Sequence, residues 1–325
     1  MICKRSASAC IAFACALALV CGAVTAADFP TKSVRFIVPW PPGGGADFLS
    51  RVVAERLSER WQRTVVVDNR GGAGGILGTE LAAKAPADGY TWFLCTTPST
   101  ITPALHGKVS FDLMKDFAPV TLIASAPYVL AAHPSLPLKS VPELIAYAKS
   151  NPGRLSYSSS GNGSAPHLAG ELFKTRAGIQ MTHVPYKGTA PALTDTIAGH
   201  VQLTFSNLVP TQPHVKSGKL RGIAVTGAER VRQLPDLPTI GESGLPGFDV
   251  TVWYGIEVPA GTPQQVIATM SRDINQVLRL PEVAERLSRE GAAPMGGTPP
   301  EFGRLIEREL RKWAQAVRDS GAKPD

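Results

Sequence analysis

The chain has 325 residues, 44% of them hydrophobic and 18% charged, and its 33 Lys+Arg against 26 Asp+Glu give a formal net charge of +7. That excess is mild and scattered, and no basic stripe with interleaved aromatics occurs, which excludes a nucleic-acid-binding surface and leaves only a slight attraction for anions. Roughly 300 residues beyond the leader exceed one comfortable core, so two lobes are expected.

Residues 1–26 read as an export signal. Lys4 and Arg5 come first, an apolar stretch runs from Ile11 to Val20, and Val24 and Ala26 are the small residues that a signal peptidase reads before its cut. A lipid anchor on Cys21 is the competing reading, disfavoured because Val20 stands where a small residue is wanted. Subtracting Lys4 and Arg5 from +7 leaves +5, since this segment holds no Asp or Glu. It also holds Cys3, Cys10, Cys15 and Cys21, so of the five cysteines only Cys95 remains. That excludes an internal disulfide and a cysteine metal site, and makes Cys95 a small buried hydrophobe. With no second apolar run of about 18 residues, the exported chain is expected free in a bacterial periplasm.

Beyond the leader, short β-branched runs alternate with stretches that repeat apolar residues every three or four positions. Strands are predicted at residues 34–38, 65–67, 90–95, 155–157, 181–184, 201–205 and 222–225. Helices are predicted at 49–60, 78–85, 141–149, 167–177 and 190–198, and three more, each opened by a proline, at 263–278, 281–290 and 300–319. This is the βαβ pattern of an α/β fold on mainly parallel sheets. Two places read as passages between lobes. One is the long apolar stretch 117–132, interrupted by Pro119 and Pro127 and too long for one strand; the other is 222–226, followed by the turn-rich Gln233-Leu234-Pro235-Asp236-Leu237-Pro238. The lobes are then residues 27–124 plus 226–325, and residues 125–225.

Two glycine-rich turns carry the chemistry, each between a strand and a helix, where backbone N–H groups lie free for an anion. The first is Trp40-Pro41-Pro42-Gly43-Gly44-Gly45-Ala46-Asp47 and the second Ser158-Ser159-Ser160-Gly161-Asn162-Gly163-Ser164. Asp47 is read either as the cap of a helix starting near Phe48 or as a partner for a ligand's ammonium. The second turn lacks the third glycine of a dinucleotide fingerprint, and no Gly-x-Ser-x-Gly elbow occurs, so a serine hydrolase using Ser160 with His167 is the weaker reading. A third cluster, Gly71-Gly72-Ala73-Gly74-Gly75, either lines the same cleft or only turns the chain. Thr97, Tyr186 and Asn207, all near strand ends, are further cleft candidates. His133, His183 and His214 have no partners at metal-ligand spacing, so neither a metal nor a cofactor is expected.

The run from Phe29 to Asp47 resembles the mature start of the tripartite tricarboxylate transporter receptors, the Bug family. So do Val67-Asp68-Asn69-Arg70-Gly71-Gly72-Ala73-Gly74-Gly75, Ala87-Asp88-Gly89-Tyr90-Thr91, the segment from Ser160 to Glu171, and His183-Val184-Pro185-Tyr186-Lys187-Gly188. The resemblance runs in order to the last helix. It implies a non-enzymatic, monomeric periplasmic receptor of the two-lobed, type II-like flytrap kind that closes on a small carboxylate. Trp40, Pro42, Gly43, Gly44 and Asp47 would form one jaw, and Ser160, Gly161, Gly163, Ser164 and His167 the other. It also implies membrane partners, either the carrier subunits or a sensor kinase. Two departures stand out: Ser206, where the family often has Asp, favours a purely anionic or aromatic acid, and Trp40, where Phe or Tyr is more familiar, enlarges the apolar wall.

Overall fold

The first strand, β1 (Val34–Val38), is apolar almost without alternation because both of its faces are covered. Phe36 and Val38 pack with Leu49 and Val52 on one side, and Ile37 with Phe93 and Cys95 on the other. The computed structural model describes residues 29–289 and 291–324. The export signal expected over residues 1–26, and the alternative anchor at Cys21, lie outside the described residues.

From β1 the chain runs through α1 (Gly45–Trp61), β2 (Val65–Asn69), α2 (Ile76–Ala83), β3 (Thr91–Thr96) and α3 (Thr97–His106). It then passes through β4 (Phe117–Ala132), α4 (Val141–Ser150), β5 (Ser156–Ser159), α5 (Ala165–Ala177), β6 (Thr182–Pro185) and α6 (Thr189–Ile197). Next come β7 (Leu203–Asn207), α7 (Leu208–Lys216), β8 (Arg221–Val225) and β9 (Thr251–Pro259). The chain closes with α8 (Gln264–Leu278), α9 (Pro281–Arg289), the short β10 (Ala293–Pro294) and α10 (Pro299–Ser320). The strand order is β2-β1-β3-β9-β4-β7-β5-β6, with β8 and β10 also on β4. Strands β1, β2 and β3 are mutually parallel, as are β5, β6 and β7, while β9 runs antiparallel between β3 and β4.

The stretch 117–132 is a single strand of 16 residues, contrary to the expectation that it is too long to be one. Its partners change along its length. Phe117 to Pro127 pairs with β9, and Tyr128 to Ala132 pairs with β7 and β8. Each half is therefore of ordinary length, and Pro119 sits at an irregularity in register, where a missing N–H costs little.

After β8 the chain stays packed beside β7 and β8 for some distance. Val225 N–H donates to Pro238, Ile240 N–H to Val225 and Val250 N–H to Thr226, while Ile240, Phe248 and Val250 are buried with Leu203 and Phe205. It then enters β9. The last helix, α10, touches both cores: Phe302 and Ile306 pack with Phe93, whereas Trp313 and Val317 pack with Leu203 and Phe205. Glu309 ties this helix to β9 by accepting Trp313 Nε1 at 2.8 Å and Trp253 Nε1 at 3.3 Å.

Two helices lie where none was predicted. In α3, Thr97-Pro98-Ser99-Thr100-Ile101-Thr102-Pro103 hides a helix behind three threonines and two prolines, but Pro98 falls in the first turn, where its missing N–H is harmless, and Thr96 N–H is satisfied by Ser99 Oγ at 3.2 Å. Similarly, α7 carries Pro210 and Pro213.

Candidate ligand-binding cleft

Helix α1 begins at Gly45, with Gly44 as an extended N-cap that supplies no side-chain cap. Its first-turn amides are therefore without the partners a Ser or Asp cap would give them. Gly43 and Gly44 are exposed, and a Cβ on either would meet nothing within 4 Å. Asp47 is not the cap of this helix, since Gly44 holds that position. Its carboxylate reaches back to accept Gly43 N–H at 2.9 Å and takes Arg51 Nε at 3.0 Å. Arg51 goes on to Asn69 Oδ1 at 3.1 Å, and Asn69 Nδ2 donates to the Trp40 carbonyl at 3.0 Å. Burial raises the Asp47 pKa, but the hydrogen bonds from Arg51, Gly43 and Asn69 outweigh it and hold the group below its ordinary value. Asp47 is thus the anion inside the loop that fixes the loop's shape, and it spends one of the loop's amides to do so.

The third glycine cluster buttresses the first loop. A Cβ on Gly71 would lie 3.1 Å from Pro41, and one on Gly75 would lie 3.6 Å from the half-buried Trp40 ring. Pro42 is exposed at the tip.

In the second loop most hydroxyls face inward. Ser158 and Ser159 are fully buried, with Ser158 Oγ on Thr196 Oγ1 at 2.9 Å and Ser159 Oγ on His183 Nε2 at 2.7 Å. Ser164 is the N-cap of α5, accepting His167 N–H, and also donates to the Gly161 carbonyl at 2.7 Å. His167 is turned inward too: Nδ1 accepts Gly163 N–H at 3.0 Å and the ring stacks on His183 at 3.8 Å. Burial first, and then the neighbouring His167 and Lys174, push His183 down to about 3, so it stays neutral at physiological pH. Ser159 meets the His183 ring, and its hydroxyl is shut away from solvent. Ser160 is half-buried and lends its carbonyl to Gly188 N–H at 3.2 Å.

Gly161 and Gly163 both have positive φ, and Gly163 has a second reason to be glycine: a Cβ there would sit 2.2 Å from Leu105 Cδ2. Leu105 belongs to α3, whose next residue, His106, lies 3.8 Å from a Cβ position on Gly74. One helix thus adjoins both the glycine cluster behind the first jaw and the second jaw. At its other end, Thr97 Oγ1 donates to the Thr251 carbonyl at 3.1 Å and accepts Trp253 N–H at 2.9 Å, so this hydroxyl anchors β9. Tyr186 O–H donates to Asp195 Oδ2 at 2.7 Å, and Asn207 Nδ2 to Thr189 Oγ1 at 3.2 Å.

Among the described residues no three His, Cys, Asp or Glu side chains are placed to share a metal ion, and no helix is long and apolar enough to cross a membrane. Residues 49–322 match the family described as "Tripartite tricarboxylate transporter family receptor". The chain belongs to this family of receptors. Solved structures of similar proteins agree. R. palustris Rpa4515, with adipate, is 39% identical with a TM-score of 0.77, over 92% of this chain and 100% of that one. The periplasmic binding protein BugD is 33% identical with a TM-score of 0.74, over 91% and 99%. MatC from Rhodopseudomonas palustris, with bound malate, is 30% identical with a TM-score of 0.73, over 89% and 100%. The fold is accordingly the two-lobed α/β fold of periplasmic binding proteins.

One residue of this receptor escaped the sequence reading altogether. Tyr254 Oη lies 3.6 Å from where a Cβ on Gly45 would be, at the opening of α1. The alternation Val252-Trp253-Tyr254-Gly255-Ile256 was the available signal for its strand, but not for the strand's place between β3 and β4.

Proposed function

We propose that this receptor is exported to the periplasm by residues 1–26, binds a small carboxylate between its lobes, and delivers it to the membrane subunits of a tripartite carrier. The lobes are residues 27–124 with 226–325, and 125–225, with the segment 226–250 packed on the second. The observation that carries the reading is the uncapped start of α1: amides without side-chain partners open onto exposed glycines, and Asp47 already holds the loop that presents them. A desolvated carboxylate forms charge-assisted hydrogen bonds with neutral donors, so no lysine or arginine is required there. Similar proteins solved with adipate and with malate support the ligand class.

The test is the melting temperature of refolded protein against a panel of carboxylic acids and their amides. A ligand at about 100 times its dissociation constant stabilises by about 2.7 kcal/mol, which at this size is a shift of a few degrees. A shift with an acid and none with its amide is the expected result. Equal shifts with both, or none with any acid, would remove the reading.

A further inference from the structure

The positive excess of the chain is not shared between the lobes. Residues 125–225 hold nine Lys and Arg against three Asp and Glu, which is +6, while the rest of the exported chain holds 22 against 23, which is −1. The fold carries most of that excess to one end. Strand β5 runs toward the glycine loop that follows Ser159, and β7 runs parallel to it and ends at Asn207. The opposite end of the same sheet is formed by Ser156, Thr182 and Leu203, with Ala132 and Arg221 of the antiparallel β4 and β8 beside them. The two ends are about 13 Å apart along β7.

Five exposed basic residues collect at the far end: Lys139, Lys149, Arg154, Lys216 and Lys219. Lys219 stands just before β8, and Arg154 just before β5. Arg221 Nη1 donates to the carbonyls of Leu136 and Leu138 at 2.6 and 3.1 Å, which brings the Lys139 turn against the start of β8. Lys149 lies in the last turn of α4 and is joined to Arg154 by a turn in which Arg154 N–H donates to Asn151 at 3.2 Å, and Lys216 ends α7. The ion pairs of residues 125–225 are those of Glu171 with His167 and Lys174, and of Asp195 with His200, so among the described residues none of the five has one. The third acid, Glu143, accepts Lys139 N–H at 2.8 Å. Lys149 and Lys216 suit the carbonyl ends of their helices, but Lys139 precedes the N-cap Ser140, where a cation is unfavourable, and Arg154 and Lys219 stand in turns. The helix dipole therefore does not account for those three.

We propose that this end of the second lobe is an electrostatic docking surface for an anionic phospholipid membrane. Four of the five charges are lysines, point charges on flexible stems, and they stand on separate turns. That arrangement matches a fluid array of phosphate headgroups better than one fixed protein surface. Among the described residues of 125–225 the one large exposed hydrophobic is Val209, in the first turn of α7 at the other end, so the contact is made without insertion and is reversible. The glycine loops face away from this end, and a receptor held by it keeps its cleft free. Membrane docking goes beyond the carboxylate reading and does not depend on which ligand is bound; it keeps the receptor beside the bilayer in which a carrier lies.

The experiment is cosedimentation of the protein from Ala27 onward, which includes every described residue, with vesicles of equimolar phosphatidylglycerol and phosphatidylcholine and with vesicles of phosphatidylcholine alone. Wild type is compared with Lys139→Glu/Lys219→Glu and with Lys149→Glu/Arg154→Glu. The control is Lys84→Glu/Lys108→Glu, the same change in net charge at two exposed lysines of the first lobe that have no ion pair among the described residues. The expected result is binding to the anionic vesicles alone, released at about 0.5 M salt as screening shortens. Binding should be weaker by about tenfold or more in each of the first two variants and retained in the control. Melting temperatures measured alongside separate lost binding from lost folding, and the second pair stands in if the first does not fold. Wild type that stays in solution with anionic vesicles overturns the assignment and leaves the lysines to an acidic protein partner or to solvent. Equal sedimentation with both kinds of vesicle, or equal loss in all three variants, overturns it too, since neither is the behaviour of a local charged surface.

Discussion

Asp47 accepts the amide N–H of Gly43 at 2.9 Å, within the loop proposed to hold the ligand. The carboxylate preorganises the turn and, through Arg51 and Asn69, ties it to the carbonyl of Trp40. Asp47→Ala is therefore expected to weaken carboxylate binding by about tenfold or more, and to destabilise the protein by about 1–3 kcal/mol, as loss of a charged hydrogen-bond acceptor does. The folded pKa of Asp47 lies below its ordinary value of 3.8, so its contribution is present above that pH and is lost as pH falls through the folded value. Urea unfolding at pH 7 and at pH 2.5 checks this: the gap between wild type and variant should be smaller at the second.

Gly163 and Leu105 bring the second jaw against α3. Gly163→Ala adds a methyl where Leu105 already lies and forces alanine to positive φ, which together cost on the order of 2–4 kcal/mol. Leu105→Ala in the same chain removes the clash but not the backbone strain, so the double variant should recover part of the loss. A double-mutant cycle on melting temperature measures the coupling, and strict additivity would mean the two do not meet in solution.

Much of the chain was legible because its apolar pattern is local. Leu49, Val52, Val53 and Leu57 announce α1, and Val34 to Val38 announces β1. The long strand β4 was misread because its length makes sense only once two different sheets share it. Helix α3 was hidden by threonines and prolines, and with it the contact of Leu105 on Gly163. At the site, the glycine loops were readable from their composition, since positive φ and close approach leave few alternatives. The partners of individual polar groups were not. Thr97 and Tyr186 carry donors that a sequence displays and the fold has already used, on the Thr251 carbonyl of β9 and on Asp195. Tyr254 is the opposite case, a donor brought to α1 by a strand insertion that no local pattern encodes.

Glu257 gives the first lobe a pH dependence of its own. It is fully buried on β9 with no N–H or O–H donor on either carboxylate oxygen among the described residues, and burial pushes it up to about 8, a weak hydrogen bond from the Cys95 thiol opposing the shift. A folded pKa above the unfolded value of 4.5 means that stability is greatest below pH 4.5 and falls as pH rises through about 8. Glu257→Gln cannot ionise. Its unfolding free energy should match wild type near pH 4 and exceed it at pH 8.5 by on the order of a few kcal/mol. A constant difference across that range would show that Glu257 does not titrate as described.

A carboxylate is expected to draw the two lobes together, and small-angle scattering of the refolded protein measures that closure. Saturation with a diacid that raises the melting temperature should lower the radius of gyration, and the matching diamide should leave it at the ligand-free value. A radius of gyration that does not change at saturation would place the ligand somewhere other than between the lobes.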